Sequence, residues 1–266
     1  MNRPARTRLD TLLVARGVTE SREKARALIL AGKVVVVGQP TPKPGSLVRE
    51  DAEVRVAEPE HPWVSRGGIK LAHALDAFAI DVTGQLAIDI GASTGGFTDV
   101  MLQRGARRVV AIDVGHGQLH WKLRTDPRVT LIEGLNARTL DASALPDLGD
   151  GAGIVTIDVS FISLTYILPV VPPLLARDAN VVSLVKPQFE AGREEVARGG
   201  LVRDPAVHAR VVETVTAAAA AVGLSRVRVI DSPVLGAEGN REFLIHLKRA
   251  LGASVVSDQL PVQRGS

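Results

Sequence analysis

Apolar positions recur along this chain at two different spacings, and the changes between them mark its organisation. Leu9, Leu12 and Leu13 repeat at helical intervals until Gly17. Ser21 then opens a second helix, with Ala25, Leu28 and Ile29 on one face and Gly32 at its end. Val34–Val37 reads as a strand, the Pro/Gly-rich stretch Gly38–Gly45 as a turn, and Val54–Val56 as another strand. Residues 1–7 show no periodicity and are expected to form a loose basic arm. From Ile69 the pattern is that of a larger body. Ile69–Phe78 predicts a helix that buries Leu71, Leu75 and Phe78. The short apolar runs Leu86–Ile90, Val109–Asp113, Val129–Ile132, Ile154–Asp158 and Val181–Val185 predict strands. Helical spacing resumes from Thr98, and Ser163–Leu175 reads as a helix bent by its prolines. The segment holding Gly192, Arg193, Gly199 and Gly200 reads as a mobile loop. Asp204 caps an alanine-rich helix to Val222, and Val227–Ile230 and Phe243–Leu247 are closing strands. Strands alternating with helices predict an α/β chain with a doubly wound parallel sheet, preceded by a small α+β domain. The expected division is 1–57 for the small domain, 58–68 for a linker with two prolines and two glycines, 69–250 for the α/β domain and 251–266 for a flexible tail.

Composition, 45% hydrophobic and 23% charged, is that of an ordinary soluble globular protein. No apolar run is long enough to span a bilayer; the nearest, Ile162–Ala176, holds Ser163, Thr165 and three prolines. The basic N-terminus lacks the apolar core of a signal peptide, so a cytoplasmic location is expected, with no membrane partner. The absence of cysteine excludes disulfides, a thiolate metal site and a cysteine nucleophile, and no metal site is read. The net charge of +3 hides an asymmetry: residues 1–50 carry ten Lys/Arg against four Asp/Glu. A basic head on a slightly acidic body points to a polyanion partner. Arg6, Arg16, Arg22, Lys24, Arg26 and Lys33, with Arg66 beyond them, are the expected contacts. The first 57 residues contain no Phe, Tyr or Trp, so phosphate and shape contacts to folded RNA fit better than stacking on single strands.

Candidate chemistry concentrates in Asp89-Ile-Gly-Ala-Ser-Thr-Gly-Gly-Phe-Thr-Asp99, a strand, a glycine-rich turn and a helix start. Such a turn aims backbone N–H groups and a helix N-terminus at a ligand. Ser93 replaces the second glycine of a dinucleotide fingerprint, which disfavours a nicotinamide oxidoreductase, and no Gly-Lys-Ser/Thr follows to make a P-loop. Asp89 suits a ligand with an amino group beside a carboxylate, and Asp113, ending the next strand, suits ribose hydroxyls. Glu133 and Asn136 are placed to contact a nucleobase. S-adenosylmethionine, a phosphate-free cation, matches these groups. The expected cofactor contacts are Asp89, Gly91, Ser93, Thr94, Gly95, Gly96, Asp113 and Asn136.

Asp89, Asp113, Asp158 and Lys186 all fall at strand ends, where doubly wound sheets bind ligands. With no cysteine, methylation of cytosine carbon 5 lacks its nucleophile. Methylation of base amino groups uses an Asn/Asp-Pro-Pro-aromatic run where this chain has Asp158-Val-Ser-Phe161. The ribose 2′-hydroxyl remains, and it needs a base or an organised oxyanion environment. A lysine can serve when burial or a nearby cation lowers its pKa. Lys70, Asp158, Lys186 and Glu242 supply two amines and two acids for this. Lys186 is expected as base or hydroxyl orienter, Lys70 and Asp158 as its tuners, and Glu242 as a positioner of Lys70 or the ribose.

Arg8-Leu-Asp-Thr-Leu-Leu-Val-Ala-Arg-Gly17 and Ser21-Arg-Glu-Lys-Ala-Arg-Ala-Leu-Ile-Leu-Ala-Gly32 resemble the small RNA-binding domain first described in ribosomal protein S-four. Five further motifs resemble the TlyA (haemolysin-A-like) family of rRNA methyltransferases: Trp63-Val-Ser-Arg-Gly-Gly-Ile-Lys-Leu71, Gly91-Ala-Ser-Thr-Gly-Gly-Phe-Thr98, Asp158-Val-Ser-Phe-Ile-Ser-Leu164, Val185-Lys-Pro-Gln-Phe-Glu190 and Gly239-Asn-Arg-Glu-Phe-Leu244. The resemblance implies an FtsJ-like, Rossmann-like methyltransferase domain with Lys70, Asp158, Lys186 and Glu242 as its catalytic tetrad. It implies S-adenosylmethionine as methyl donor and rRNA within ribosomal subunits as partner. The implied target is a cytidine ribose in the large subunit, and in some members also in the small one. Arg241 departs locally by placing a charge before the tetrad glutamate. Two other readings are a catalytically silent RNA-binding assembly factor and, from the family's haemolysin label, a membrane-active protein.

Overall fold

The computed structural model describes residues 5–30, 32–39, 42–56 and 61–250. The expected tail, 251–266, and the start of the expected linker lie outside the described residues. The chain divides into two compact units, residues 1–62 and 63–266.

In the first unit, strand β1 (Arg6–Arg8) leads into helix α1 (Leu9–Ala15), followed by α2 (Arg22–Leu30), β2 (Val34–Val36), β3 (Leu47–Arg49) and β4 (Val54–Val56). Strand β1 pairs antiparallel with β3, and β2 with β4. The expected loose arm is thus partly a strand, because Arg6–Arg8 finds a partner in Leu47–Arg49; three residues are too few for periodicity to show. Leu9, Leu12 and Leu13 pack with Ala25, Ile29, Val34, Val36 and Val48 in a small core. Asp10 is fully buried beside that core and accepts from Arg8 at 3.0 and 2.7 Å and from the Thr11 N–H at 2.9 Å. The Arg8 guanidinium holds its carboxyl well below the usual carboxylate range.

The second unit begins earlier than expected. Helix α3 spans Gly67–Phe78, and the stretch before it is already part of the fold. Buried Asp99 accepts from the Val64 N–H at 2.9 Å, and a Cβ on Gly68 would lie 2.4 Å from the Trp63 side chain. Residues 63–68 are therefore packed against the body. The remaining elements are β5 (Leu86–Ile90), α4 (Gly96–Gln103), β6 (Arg108–Asp113), α5 (Trp121–Arg124), β7 (Val129–Glu133), β8 (Ala152–Ile157), β9 (Leu175–Val185), α6 (Pro187–Glu190), α7 (Pro205–Ala221), β10 (Leu224–Asp231) and β11 (Phe243–Arg249). They form a seven-stranded sheet of order β10-β11-β9-β8-β5-β6-β7, parallel except for β11, which runs antiparallel to both neighbours. Alternation along β5 sends Leu86, Ile88 and Ile90 into a core with Ile167, Leu168, Val211 and Val215, and Ala87 into one with Leu71, Leu75, Phe97 and Met101. Chain order reverses between β5 and β8, which opens the crevice for a ligand at their carboxyl ends.

One expected helix is absent. Ser163–Leu175 forms three short 3-10 turns, Leu164–Tyr166, Leu168–Val170 and Pro172–Leu174. Pro169, Pro172 and Pro173 each lack an N–H and clash with the preceding turn, so no α-helical ladder propagates. The polar segment around Gly192 is tied down as well: Glu195 accepts from the Gly192 N–H and pairs with Arg210, and buried Asn240 bonds the Gly200 carbonyl and the Val202 N–H.

His246, on β11, is buried, stacks on Phe78 with centroids 5.2 Å apart and bonds Asn180 Oδ1 at 2.9 Å. Burial, with Lys248 nearby, pushes it down to about 4. The unfolded chain takes up this proton near the ordinary histidine value, so stability falls as pH drops from about 6.5 towards 4. His246→Gln should flatten the fall in Tm between pH 7 and 5 relative to wild type; an identical slope would remove His246 from the account.

Candidate active site

Strand β5 ends where the chain must turn sharply. Gly91 adopts φ +85°, and a Cβ there would lie 2.4 Å from the Asp158 carbonyl oxygen, so only glycine lets the ends of β5 and β8 approach this closely. Asp113, ending β6, accepts from the Ser93 N–H through Oδ2 and from the Gly115 N–H through Oδ1, both at 2.7 Å. Ser93 Oγ donates to Gln118 Oε1 at 3.1 Å. Beside this loop lies a cavity of about 450 Å³, walled by Ile112, Val114, Leu135 and Ile162, with Asp113 and Asn136 as polar groups. An apolar-walled slot with a few hydrogen-bonding side chains and no phosphate-binding lysine fits a nucleoside without a phosphate chain.

Of the expected cofactor residues, Gly91, Ser93, Asp113 and Asn136 line this cavity, and Thr94 and Gly96 line its neighbour. Two do not reach either. Asp89 shares the face of Ala87, so its side chain points under α4 and is fully buried; Thr98 Oγ1 donates to it at 2.7 Å and Thr156 Oγ1 at 2.9 Å. Burial pushes the Asp89 carboxyl up to about 6. Its place is beneath the loop, which it braces. Gly95 faces away as well: with φ +95°, a Cβ would lie 2.2 Å from Leu123 Cδ1 and 2.8 Å from Leu119 Cδ1. Gly95→Val should therefore lower Tm by several degrees through α5 packing, readable by calorimetry; weakened ligand binding in a protein of unchanged Tm would contradict this. Glu133 lines neither cavity; it accepts from the Gly117 N–H at 2.8 Å and pairs with Arg124.

The adjoining cavity, about 330 Å³, is lined by Arg66, Lys70, Asp158, Ser160 and Lys186, with Gly236 opposite. Lys186 Nζ lies 2.7 Å from Asp158 Oδ1, an ion pair without hydrogen-bond alignment, and donates to Ser160 Oγ at 2.9 Å. Lys70 Nζ donates to Glu242 Oε2 at 2.5 Å. Glu242 stands behind Lys70: it is buried, and a Cβ on Gly236 would collide with its carboxylate. The structure thus brings Lys70, Asp158 and Lys186 to one cavity and sets Glu242 against Lys70, out of the cavity lining. The two cavities are continuous through Gly91, Ser93, Asp158 and Ser160.

The basic residues are distributed differently. Arg6, Arg16, Arg22, Lys24 and Arg26 are exposed on the first unit and Lys33 is half-buried. Arg16 donates to the Glu50 carbonyl at 2.6 Å, Arg22 reaches Asp10 at 3.4 Å and Lys24 pairs with Glu20. Arg66 is exposed at the rim of the lysine-lined cavity.

Residue-type reasoning missed several groups. Ser160 binds Lys186, and Glu190 accepts from Ser163 Oγ at 2.5 Å and from the Leu164 N–H at 2.8 Å, joining the loops that carry Asp158 and Lys186. Both lie in motifs quoted above, which was the available signal. Phe161 is 91% exposed at φ +63°, and nothing in its local sequence announces either property.

A family model described as FtsJ-like methyltransferase matches residues 63–249, and an S4 domain model matches residues 7–54. The 16S/23S rRNA (cytidine-2′-O)-methyltransferase TlyA of Mycobacterium tuberculosis is 47% identical over 258 residues, 95% of this chain and 95% of the relative. The chain belongs to the TlyA family. The TlyA likeness extends to Hemolysin A of Brachyspira hyodysenteriae, 40% identical over 90% of this chain and 98% of that protein. A solved Streptococcus thermophilus structure carrying a hemolysin name is 45% identical, with a TM-score of 0.71 over 94% of this chain and 90% of that one. No helix among the described residues of this TlyA-family chain is long and apolar enough to cross a membrane.

Proposed function

We propose that this chain transfers the methyl group of S-adenosylmethionine to the ribose 2′-hydroxyl of a cytidine in rRNA, acting on the large ribosomal subunit and also on the small one. The observation that carries the reading is a single cleft in which two lysines with their acid partners adjoin a nucleoside-sized slot. Asp113 and Asn136 would hold the donor's nucleoside, with Gly91 and Ser93 against it. S-adenosylmethionine supplies a sulfonium-bound methyl group, which leaves with its bonding electrons remaining on sulfur.

The protein's own work is to place and deprotonate the hydroxyl. Lys186 Nζ, fixed by Asp158 and Ser160, holds the 2′-oxygen, and the Lys186–Asp158 pair together takes its proton as the carbon–oxygen bond forms. Lys70, anchored by Glu242, puts a second cation on the cavity wall, where it stabilises the developing oxyanion. Residues 1–57 serve as the RNA grip and residues 63–250 as the transfer domain, with Arg66 contacting phosphate at the cleft rim.

Phe161, exposed between the slot and a neighbouring concavity, packs on Phe189 with centroids 5.2 Å apart and presents a ring for the target base. A bulky residue held at positive φ is a strained conformation of the kind found at ligand clamps. Phe161→Ala should lower kcat/KM on ribosomal subunits by roughly tenfold or more. The reading itself is tested by mapping ribose methylation, by primer extension and mass spectrometry, in 30S and 50S subunits incubated with the protein and labelled donor. Cytidine 2′-O-methylation is expected in both; retained RNA binding without methyl incorporation would leave an assembly factor instead.

A further inference from the structure

The chain has five Phe, two Trp and one Tyr, and the tyrosine with two of the phenylalanines meets on a single exposed concavity of about 840 Å³. Its floor is the turn Leu164–Tyr166. Tyr166 is 57% exposed, and the Arg138 guanidinium carbon lies 4.9 Å above its ring centroid. Arg193 lines the same surface. Neither arginine forms an ion pair among the described residues, whereas Arg104, Arg108, Arg124, Arg128, Arg210, Arg226 and Arg241 do. A tyrosine left in water under an unpaired arginine is poor design for stability alone, since both groups forgo burial or neutralisation.

We propose that Arg138, Tyr166 and Arg193 form a second nucleotide subsite, which takes the residue next to the methylated cytidine in the same RNA strand. The inference rests on the methyltransferase reading above. Stacked aromatic and guanidinium planes bind a base face without regard to its identity, and the second arginine provides a cation for the flanking phosphate. The occupant follows from continuity: Phe161 directly follows Ser160, which lines the lysine cavity, and the ring of Phe189, on this concavity, has its centroid 6.0 Å from Lys186 Nζ, so a strand whose ribose meets Lys186 passes over Tyr166. The platform is also fixed in advance. Ser163 Oγ and the Leu164 N–H both donate to Glu190, and Ile167 and Leu168 are buried just beyond the turn, so little ordering remains for the RNA to impose. The subsite also supplies on the second unit the aromatic surface that residues 1–57 lack.

The test uses the full chain and ribosomal subunits from cells without the methylation. Tyr166→Leu should raise KM for subunits roughly tenfold with kcat and S-adenosylmethionine affinity retained, and Tyr166→Phe should restore wild-type KM because the ring and not the hydroxyl stacks. With a photo-crosslinking amino acid at position 166, the crosslink should fall on the nucleotide immediately 5′ or 3′ of the methylated cytidine. A crosslink to that cytidine itself, to a distant nucleotide or to a ribosomal protein would overturn the proposal, as would an unchanged KM for Tyr166→Leu. Absence of methyl transfer by the wild-type protein would instead bring down the function on which the subsite rests.

Discussion

Lys186→Ala is expected to reduce methyl transfer by a factor of about 10² to 10⁴, the range that a positioned proton-transfer group supplies, while S-adenosylmethionine still binds. The reason is positional. Lys186 lines the 330 Å³ cavity beside Asp158 and Ser160, whereas the nucleoside slot is walled by Ile112, Asp113, Leu135 and Asn136. Truncation empties the first region without disturbing the second. Single-turnover transfer of labelled methyl and calorimetric titration of the donor separate the two effects. A parallel loss of both would sink the assignment. Lys186→Arg refines it: arginine keeps the charge next to Asp158 but does not give up a proton near neutral pH, so a variant of substantial activity would mean that orientation, and not proton removal, is what the amine contributes.

The second large effect concerns stability and activity together. The Lys70 side chain is 12% exposed and that of Glu242 2%, and they meet at 2.5 Å. Glu242→Ala leaves the ammonium with neither its partner nor full access to water. Breaking such a pair costs about 3–5 kcal/mol, and for a unit of this size each kcal/mol moves Tm by about 2–4 °C. A drop of roughly 6–20 °C is therefore expected, with methyl transfer lost. The double variant Lys70→Met/Glu242→Leu should regain most of the Tm and remain inactive, because an apolar pair of similar volume removes the desolvation penalty but supplies no cation to the cavity. Were the double variant to recover turnover, Lys70 would have no chemical role; were Glu242→Ala to keep its Tm, the pair would not be a buried one.

How far the sequence foretold this arrangement differs from element to element. The strands at 86–90, 109–113 and 154–158 were readable because all but the terminal carboxylates of the last two are buried, so apolar and β-branched residues dominate them, and Gly91 marked the turn after the first. Lys70, Asp158 and Lys186 could be set at one cleft once those strands were ordered, since doubly wound sheets gather their strand ends. Asp89 was misplaced for the same reason that β5 was easy to see. It lies one step before the strand's last residue, and alternation carries its side chain under α4 and not out of the end. Residues 163–175 look helical by apolar spacing, but three prolines deny the ladder its donors. The three-residue strands at 6–8 and 47–49 are paired by contacts far apart in sequence, which no local window contains. Phe161 is the extreme case: its backbone angle is imposed by surroundings, and its type alone would have placed it in the core.

Because the slot proposed for the donor and the lysine-lined cavity share Gly91, Ser93, Asp158 and Ser160, no wall divides them. A tethered compound carrying a nucleoside for each would find its second foothold at millimolar effective concentration once the first was seated, without any contact beyond those the two halves already offer. Selective inhibitors of this chain are accordingly to be sought among bridged molecules whose linker traverses the gap over Asp158, where enzymes that place another acceptor beside the same donor would present a different distance.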